Sequence, residues 1–205
     1  MEFIRRVSGS PNRLGILPGT FNPVTVAHLG LASAARSRCD EVIFVLPRVL
    51  PHKEFSGVSF DQRLELLDRA LGSEDGYSLA VADAGLFADI ANECREAYGA
   101  GVRLSFLCGR DAAERIAAWD YGRTGAFVEM LRQFDLLVAR RNGEYVPPSE
   151  FSAGMERLEL SPGFDLVSAT EVRARLMRGE PWEHLVPAAI RERVRELYGR
   201  STELD

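Results

Sequence analysis

Short apolar runs alternate with amphipathic helical patterns along this chain, and that alternation constrains the fold more than any other feature. The apolar runs predict strands at residues 14–18, 41–47, 79–82, 102–108, 134–139 and 155–160. The segments between and after them predict helices at about 28–38, 60–71, 86–98, 111–119, 127–133, 169–178 and 187–198. Strand–helix–strand units of this kind build parallel sheets. We therefore predict an α/β fold with a doubly wound, mainly parallel sheet, helices on both faces and a helical C-terminal end.

Length and composition fit one globular domain, which we assign to residues 1–205. The chain has 205 residues, of which 46% are hydrophobic and 27% charged, and that apolar content can build a core. Lys and Arg number 25 and Asp and Glu number 30, so the formal charge is −5. A mildly acidic protein is a poor candidate for general nucleic-acid binding.

The number and spacing of the cysteines and the hydropathy of the chain indicate a protein with reduced thiols and no membrane partner. Cys39, Cys94 and Cys108 are too few and too widely spaced for a disulfide framework or a zinc pattern. The first ten residues lack the apolar core of a signal peptide, and no run approaches the roughly 20 apolar residues of a membrane span. We expect a cytoplasmic protein. A homo-oligomer is compatible with the sequence, which does not define the oligomeric state.

The first candidate site follows the first predicted strand, in Gly19-Thr-Phe-Asn-Pro-Val-Thr-Val-Ala-His28. Gly19 permits a tight turn and close approach of a ligand to the backbone. Thr25 and His28 are three positions apart at a helix start, so they can face the same side. Free N–H groups at a helix N-terminus favour phosphate, and His28 adds a donor there. The alternative is that His28 only caps the helix.

Other strand ends also carry candidates, because ligands of open parallel sheets bind at the carboxyl ends of strands. His52 and Lys53, the chain's only lysine, follow the second strand and could bind an anion or remain solvated. Gly109 and Asp111 follow the fourth strand, where Asp111 could accept from ribose hydroxyls or cap the next helix. Trp119 ends that helix and could pack in the core or stack on a planar ring.

A second candidate helix start lies near the C-terminus, in Leu166-Val-Ser-Ala-Thr-Glu-Val-Arg173. Ser168 and Glu171 have the spacing of a capping box, which explains them structurally. Alternatively, Ser168, Thr170 and Arg173 surround a helix N-terminus that holds a polyphosphate. The glycine-rich signatures of dinucleotide-binding and P-loop proteins are both absent from the sequence.

The two candidate helix starts resemble the signature motifs of the nucleotidyltransferase superfamily. Residues 19–28 are similar to its His/Thr-x-Gly-His signature, and Val167-Ser-Ala-Thr-Glu-Val-Arg173 to its C-terminal Ile-Ser-Ser-Thr-x-x-Arg motif. Pro51-His-Lys53, Gly109-Arg-Asp111 with Trp119, and Val138-Ala-Arg-Arg141 follow the order seen in bacterial nicotinate-nucleotide adenylyltransferases. The resemblance covers about residues 13–199, which we take as the core of the domain. It implies a Rossmann-like fold that joins ATP to a mononucleotide and releases pyrophosphate.

The resemblance also implies roles for the matching residues. We expect catalysis from His28, Lys53 and Arg173. We expect ATP binding by Gly19, Thr20, Phe21, Thr25, Gly109, Asp111, Ser168 and Thr170. We expect acceptor binding by His52, Trp119 and Arg141. Mg²⁺ should accompany ATP and keep most of its ligands from water and phosphate, so no metal ligand on the protein is predicted.

Two positions and one stretch of the chain depart from the family pattern. Ala27 replaces the glycine of the first signature, and Ala169 replaces the second serine of the last motif. The Ser-Tyr-Thr-x-x-Thr stretch of the nicotinate enzymes corresponds to Ala84-Gly-Leu-Phe-Ala-Asp-Ile90, which lacks those hydroxyls. The acceptor is thus open, and the alternative to nicotinate (or nicotinamide) mononucleotide is another phosphate ester such as phosphopantetheine. Two further alternatives are CTP in place of ATP and a nucleotide sensor without turnover.

Overall fold

The computed structural model describes residues 1–49, 58–72, 74–118, 122, 125–139, 146–160, 163–164 and 166–199. Four of the predicted site residues, His52, Lys53, Trp119 and Arg141, lie outside the described residues, so their roles stay predictions.

The described strands form one seven-stranded sheet. In chain order they are β1 (Glu2–Arg5), β2 (Arg13–Pro18), β3 (Glu41–Pro47), β4 (Tyr77–Ala82), β5 (Arg103–Gly109), β6 (Asp135–Ala139) and β7 (Met155–Leu158). Their spatial order is β1-β4-β3-β2-β5-β6-β7, and every neighbouring pair is parallel except β1 with β4. The predicted mainly parallel α/β sheet is confirmed. The antiparallel edge strand β1 was not predicted, because four half-exposed residues carry little periodic signal.

Seven described α-helices connect or follow these strands. They are α1 (Val26–Ala35), α2 (Phe60–Leu71), α3 (Phe87–Tyr98), α4 (Arg110–Ala117), α5 (Ala126–Leu131), α6 (Ala169–Arg178) and α7 (Arg191–Tyr198). Short 3₁₀ turns lie at Ser149–Phe151, Glu183–Leu185 and Ala188–Ile190, so the predicted last helix begins as a 3₁₀ turn. A capping box begins α2, since Ser59 Oγ accepts from the N–H of Gln62 at 3.2 Å and Gln62 Oε1 accepts from the N–H of Ser59 at 3.0 Å.

Alternate residues of the central strands bury against helices on opposite faces of the sheet. On β3, Val42, Phe44 and Leu46 join one core cluster, whereas Ile43 and Val45 join the other, and all five are fully buried. The first cluster takes its helical side chains from α1, α2, α6 and α7, and the second from α3, α4 and α5. Burial of both faces explains why the strand reads as an unbroken apolar run.

The order of the strands places the ligand crevice at the carboxyl ends of β2 and β5. The chain proceeds from β2 to β3 on one side and reaches β5 on the other, so these neighbouring strands form the switch point. Ile16 pairs with Phe106 in parallel register, and Gly19 and Gly109 each follow three residues later, at the same edge of the sheet. The fold therefore joins two of the predicted glycine positions at one edge.

All three cysteines are buried and unpaired. Burial raises the pKa of Cys39 to about 11 and those of Cys94 and Cys108 to about 12, so each thiol stays protonated and unreactive near neutral pH. Within the described residues, no helix combines the length and hydropathy that a membrane crossing requires.

Candidate active site

The loop between β2 and α1 is held by side chains from distant parts of the chain. Arg63 on α2 donates from Nη1 to the carbonyl of Thr20 at 2.8 Å. Arg173 on α6 donates from Nη1 to the carbonyl of Asn22 at 2.5 Å. Two loop carbonyls are thus occupied by guanidinium groups from α2 and from the second motif.

The contact between Arg173 and Asn22 brings the two predicted helix starts together. These residues are 151 positions apart in the chain. Arg173 also lies 3.4 Å from Thr170 Oγ1, so its guanidinium extends along the first turn of α6 toward the loop that precedes α1. Two positive helix N-termini and one arginine therefore converge on a small region, which is the arrangement that binds a polyphosphate.

His28 and Thr25 interact at the first turn of α1. The N–H of Thr25, the N-cap, donates to His28 Nδ1 at 3.0 Å, and Thr25 Oγ1 lies 2.8 Å from the same nitrogen. Because a backbone N–H can only donate, Nδ1 accepts and the neutral ring carries its proton on Nε2. Capping and phosphate binding are thus compatible: one nitrogen closes the helix while the other keeps a donor hydrogen.

Phe21 and Thr25 lie behind the site rather than at its surface. Phe21 is 1% exposed, and its ring packs edge-on against His28 with centroids 5.2 Å apart. Thr25 is fully buried. A Cβ on Gly19 would come within 3.0 Å of the Phe21 ring, so glycine is needed there for packing within the loop. Both side chains therefore support His28, and the expected ATP binding at Phe21 and Thr25 stays a prediction.

The start of α6 forms half of the predicted capping box. Ser168 Oγ accepts from the N–H of Glu171 at 3.1 Å, as expected of an N-cap. The Glu171 carboxylate does not close the box; it accepts from Arg175 Nε at 2.7 Å. An ion pair one turn along the helix takes the place of the return bond. Thr170 is exposed in the first turn, where its hydroxyl is accessible to a ligand.

The end of β5 presents Gly109 and Asp111 beside the loop. Gly109 is the N-cap of α4 and Asp111 lies within the first turn, so of the two alternatives for Asp111 the structure excludes the cap of this helix. Asp111 is exposed. A Cβ on Gly109 would meet no described atom within 4 Å, so packing against the described residues does not explain the glycine. Both positions remain accessible to a bound ribose.

Comparison with known proteins agrees with this geometry. The sequence pattern of the cytidylyltransferase-like family matches residues 16–175, which include both helix starts. The chain belongs to this family of nucleotidyltransferases. A protein of Gloeobacter violaceus named "probable nicotinate-nucleotide adenylyltransferase" is 31% identical over 87% of this chain and 91% of its own length. A Chromohalobacter salexigens protein of the same name is 34% identical over 88% of this chain and 92% of its own length.

Solved structures support the fold of this nucleotidyltransferase. The Plasmodium falciparum nicotinic acid mononucleotide adenylyltransferase complexed with NaAD superimposes with a TM-score of 0.70 at 15% identity, covering 89% of this chain and 96% of that one. The same enzyme complexed with APC gives a TM-score of 0.71 at 16% identity over 94% and 100% of the two chains. At these identities the likeness establishes the Rossmann-like architecture.

Arg63 is the site residue that the sequence reasoning missed. It is 5% exposed, its guanidinium lies 5.5 Å from the centre of the Phe60 ring, and burial lowers its pKa. Its position in the sequence could have indicated this role, because it lies three residues after Phe60 and four before Leu67, on the apolar face of α2. An arginine on the buried face of an amphipathic helix needs a polar partner, and the loop carbonyl of Thr20 supplies one.

Gly30 joins α1 to the segment that precedes the second motif. A Cβ on Gly30 would lie 2.6 Å from the ring of Phe164. We expect Gly30→Ala to destabilise the fold by about 1 kcal/mol, because overpacking outweighs the helix propensity gained. Thermal unfolding measures this loss, and adding Phe164→Leu should recover it. A more stable Gly30→Ala single variant would contradict the close packing.

The stretch that departs from the nicotinate enzymes lies at the carboxyl end of β4. β4 ends at Ala82 and α3 begins at Phe87, so residues 83–86 form the connection at the ligand edge. Leu86 is the N-cap of α3, makes no side-chain capping bond and is 47% exposed. This connection thus exposes the apolar side chain of Leu86 and the carboxylate of Asp83, and none of its four residues carries a hydroxyl group.

Proposed function

We propose that this nucleotidyltransferase transfers the adenylyl group of ATP to nicotinate mononucleotide, a step of NAD biosynthesis that releases pyrophosphate. The observation that carries the proposal is the contact of Arg173 with the Asn22 carbonyl, because it unites the two helix starts into one polyphosphate site. The names of the Gloeobacter and Chromohalobacter relatives support nicotinate mononucleotide as the acceptor.

In this proposal the triphosphate lies between the N-termini of α1 and α6. His28 Nε2 donates to the α-phosphate, while Arg173 and the hydroxyls of Ser168 and Thr170 hold the β- and γ-phosphates. The backbone of Gly19 and Thr20 lines the loop. On the other side of the switch point, the ribose lies near Gly109, where Asp111 accepts from its hydroxyls.

The reaction requires no covalent intermediate. A phosphate oxygen of the acceptor attacks the α-phosphorus of ATP in line, the new P–O bond forms, and the bond from the α-phosphorus to the bridging oxygen breaks. Pyrophosphate leaves with that oxygen and its electron pair. Since the nucleophile is already an anion, no general base is needed, and catalysis consists of positioning and charge stabilisation.

Mg²⁺ enters this proposal with ATP. Within the described residues, no group of three or more His, Cys, Asp or Glu side chains could hold a metal ion. The donors at the site are N–H groups, hydroxyls and a guanidinium, which suit phosphate oxygens and leave the cation to phosphate and water. Bound in this way, Mg²⁺ neutralises charge on the phosphates.

The acceptor side of the proposal includes predicted residues that the structure does not describe. Lys53 would neutralise the incoming phosphate, His52 and Arg141 would contact the acceptor, and Trp119 would stack on its pyridine ring. We also place the enzyme in the cytoplasm, where its three unpaired cysteines would stay reduced.

Pyrophosphate release with ATP, Mg²⁺ and a panel of acceptors tests the proposal. We expect release with nicotinate mononucleotide to exceed that with nicotinamide mononucleotide or phosphopantetheine by at least about 10-fold, since one well-formed polar contact is worth this much. Replacing ATP with CTP tests the nucleotide. Release with phosphopantetheine alone, or only with CTP, would reassign the substrates. Tight ATP binding without release of pyrophosphate in the presence of any acceptor would indicate a nucleotide sensor.

A further inference from the structure

Tyr198 is a third distant side chain that contacts the loop after β2. Its hydroxyl donates to Asn22 Oδ1 at 2.5 Å, across 176 positions of the chain. Asn22 is 9% exposed and accepts from Arg173 through its main-chain carbonyl as well. One buried residue of the loop is therefore bonded both to the second motif and to the last described helix.

The loop conformation needs such support. Phe21 has a φ of +44°, in the left-handed region that residues other than glycine rarely adopt. A backbone of this kind persists only where the surrounding structure holds it. The bonds to Thr20 and Asn22 come from three separate helices, which together restrain the two residues on either side of Phe21.

Helix α7 is well placed to act as one of these supports. Val194 on α7 and Ile190 just before it are fully buried in the core cluster that also contains Phe21. Arg193 on α7 pairs with Glu65 on α2 at 3.1 Å, which joins α7 to the helix that carries Arg63. The Tyr198 hydroxyl thus extends from a docked helix.

The hydroxyl of Tyr198 is suited to a permanent donor role. Burial raises the pKa of the phenol, and the neighbouring Arg173 and Arg63 only partly offset this. The group therefore stays protonated and can donate to Asn22 throughout the neutral range. A neutral donor also leaves the positive charge of Arg173 available to phosphate.

We propose that Tyr198 is a positioning residue, whose bond to Asn22 holds the loop of residues 19–24 in the conformation that binds the nucleotide phosphates. The role rests on the proposed function insofar as this loop binds ATP. Tyr198 itself contacts no substrate. Without its hydroxyl, Asn22 Oδ1 loses its donor, and the loop exchanges between the bound and other conformations.

Tyr198→Phe tests the proposal, because it removes the hydroxyl and keeps the ring in the core. We expect the Kd for ATP, measured by calorimetry, to rise about 3- to 10-fold, as for a lost hydrogen bond that leaves a buried acceptor unpaired. The KM for ATP should rise by a similar factor.

Tyr98→Phe is the matched control. Tyr98 is also half-buried, and its hydroxyl donates to Glu41 Oε1 at 2.5 Å. Glu41 begins β3, at the end of the sheet opposite the ligand crevice. The control should lose a similar amount of thermal stability and bind ATP as the wild type does. An equal effect of both variants on ATP affinity, or none from Tyr198→Phe, would overturn the positioning role.

Asn22→Ala approaches the same bond from its other partner, and it applies even where Tyr198→Phe folds poorly. It should also weaken ATP binding, and adding Tyr198→Phe should produce no further loss, since the bond is already absent. Additive losses of ATP affinity would contradict the proposal.

The positioning role and the acceptor assignment can fail independently. Weaker ATP binding in Tyr198→Phe, together with a wild type that is inactive on nicotinate mononucleotide, would overturn the acceptor assignment alone. An active wild type with unaffected Tyr198→Phe would overturn the positioning role alone.

Discussion

His28→Ala is expected to lower kcat for adenylyl transfer by about 10²- to 10³-fold, which is typical for loss of one preorganised donor in the transition state. The donor is the Nε2 hydrogen, fixed there because Nδ1 accepts from the N–H of Thr25. Steady-state pyrophosphate release at saturating ATP measures the effect. The same variant removes the capping-box partner of Thr25, because Nδ1 no longer accepts from the Thr25 N–H, so we also expect a loss of about 1 kcal/mol in stability.

His28→Glu separates these two roles of the histidine. Glutamate three residues after a threonine N-cap is a normal capping-box partner, so it should restore the cap and recover the thermal stability lost in His28→Ala. It offers no donor and adds a negative charge beside the phosphates. Activity should therefore stay as low as in His28→Ala or fall further. Recovery of activity together with stability would mean that His28 acts only as a cap.

Arg173→Ala is expected to raise the Kd for ATP by about 10- to 100-fold, the range for hydrogen bonds that involve a charged group. Two losses contribute: the positive charge beside the polyphosphate, and the bond that holds the Asn22 carbonyl. Calorimetric titration with ATP and Mg²⁺ measures the change directly. We expect Arg173→Lys to recover only part of the affinity, because an ammonium lacks the planar fork that can serve both partners.

Arg175→Ala is the matched control on the same helix. Arg175 donates to Glu171 Oε1 at 2.7 Å and to the carbonyl of Pro181 at 3.1 Å, and neither bond involves the loop after β2. Its removal should cost little stability, as for a partly exposed ion pair, and should leave ATP affinity unchanged. Unchanged ATP affinity in Arg173→Ala would refute the role of Arg173 in binding the polyphosphate. An equally large loss of ATP affinity in Arg175→Ala would indicate a general effect of removing positive charge from α6.

Local patterns predicted most of the fold. The apolar run at Glu41–Pro47 depends on residues close together in the chain, and it forms the predicted strand. The start of α4 differs from the prediction: Gly109, which has an extended backbone at the end of β5, is the N-cap in place of Asp111. At α6, Glu171 pairs with Arg175 and leaves the capping box half formed.

The site was predicted less completely, because side-chain direction depends on packing. The two helix starts were identified from their hydroxyls, histidine and arginine. Phe21 and Thr25 turned out to support His28 from behind, as their burial dictates. Arg63 was missed since its charge on an apolar stripe has a function only once α2 docks beside the loop.

The sequence by itself determined the alternation of strands and helices and the polar groups available at the two candidate helix starts, because periodicity, capping and helix polarity act over a few residues. Only the tertiary structure decided that Arg63, Arg173 and Tyr198 meet at one loop. Those contacts span 43, 151 and 176 positions, and only the order of strands in the sheet and the packing of helices on one face bring such distant residues together.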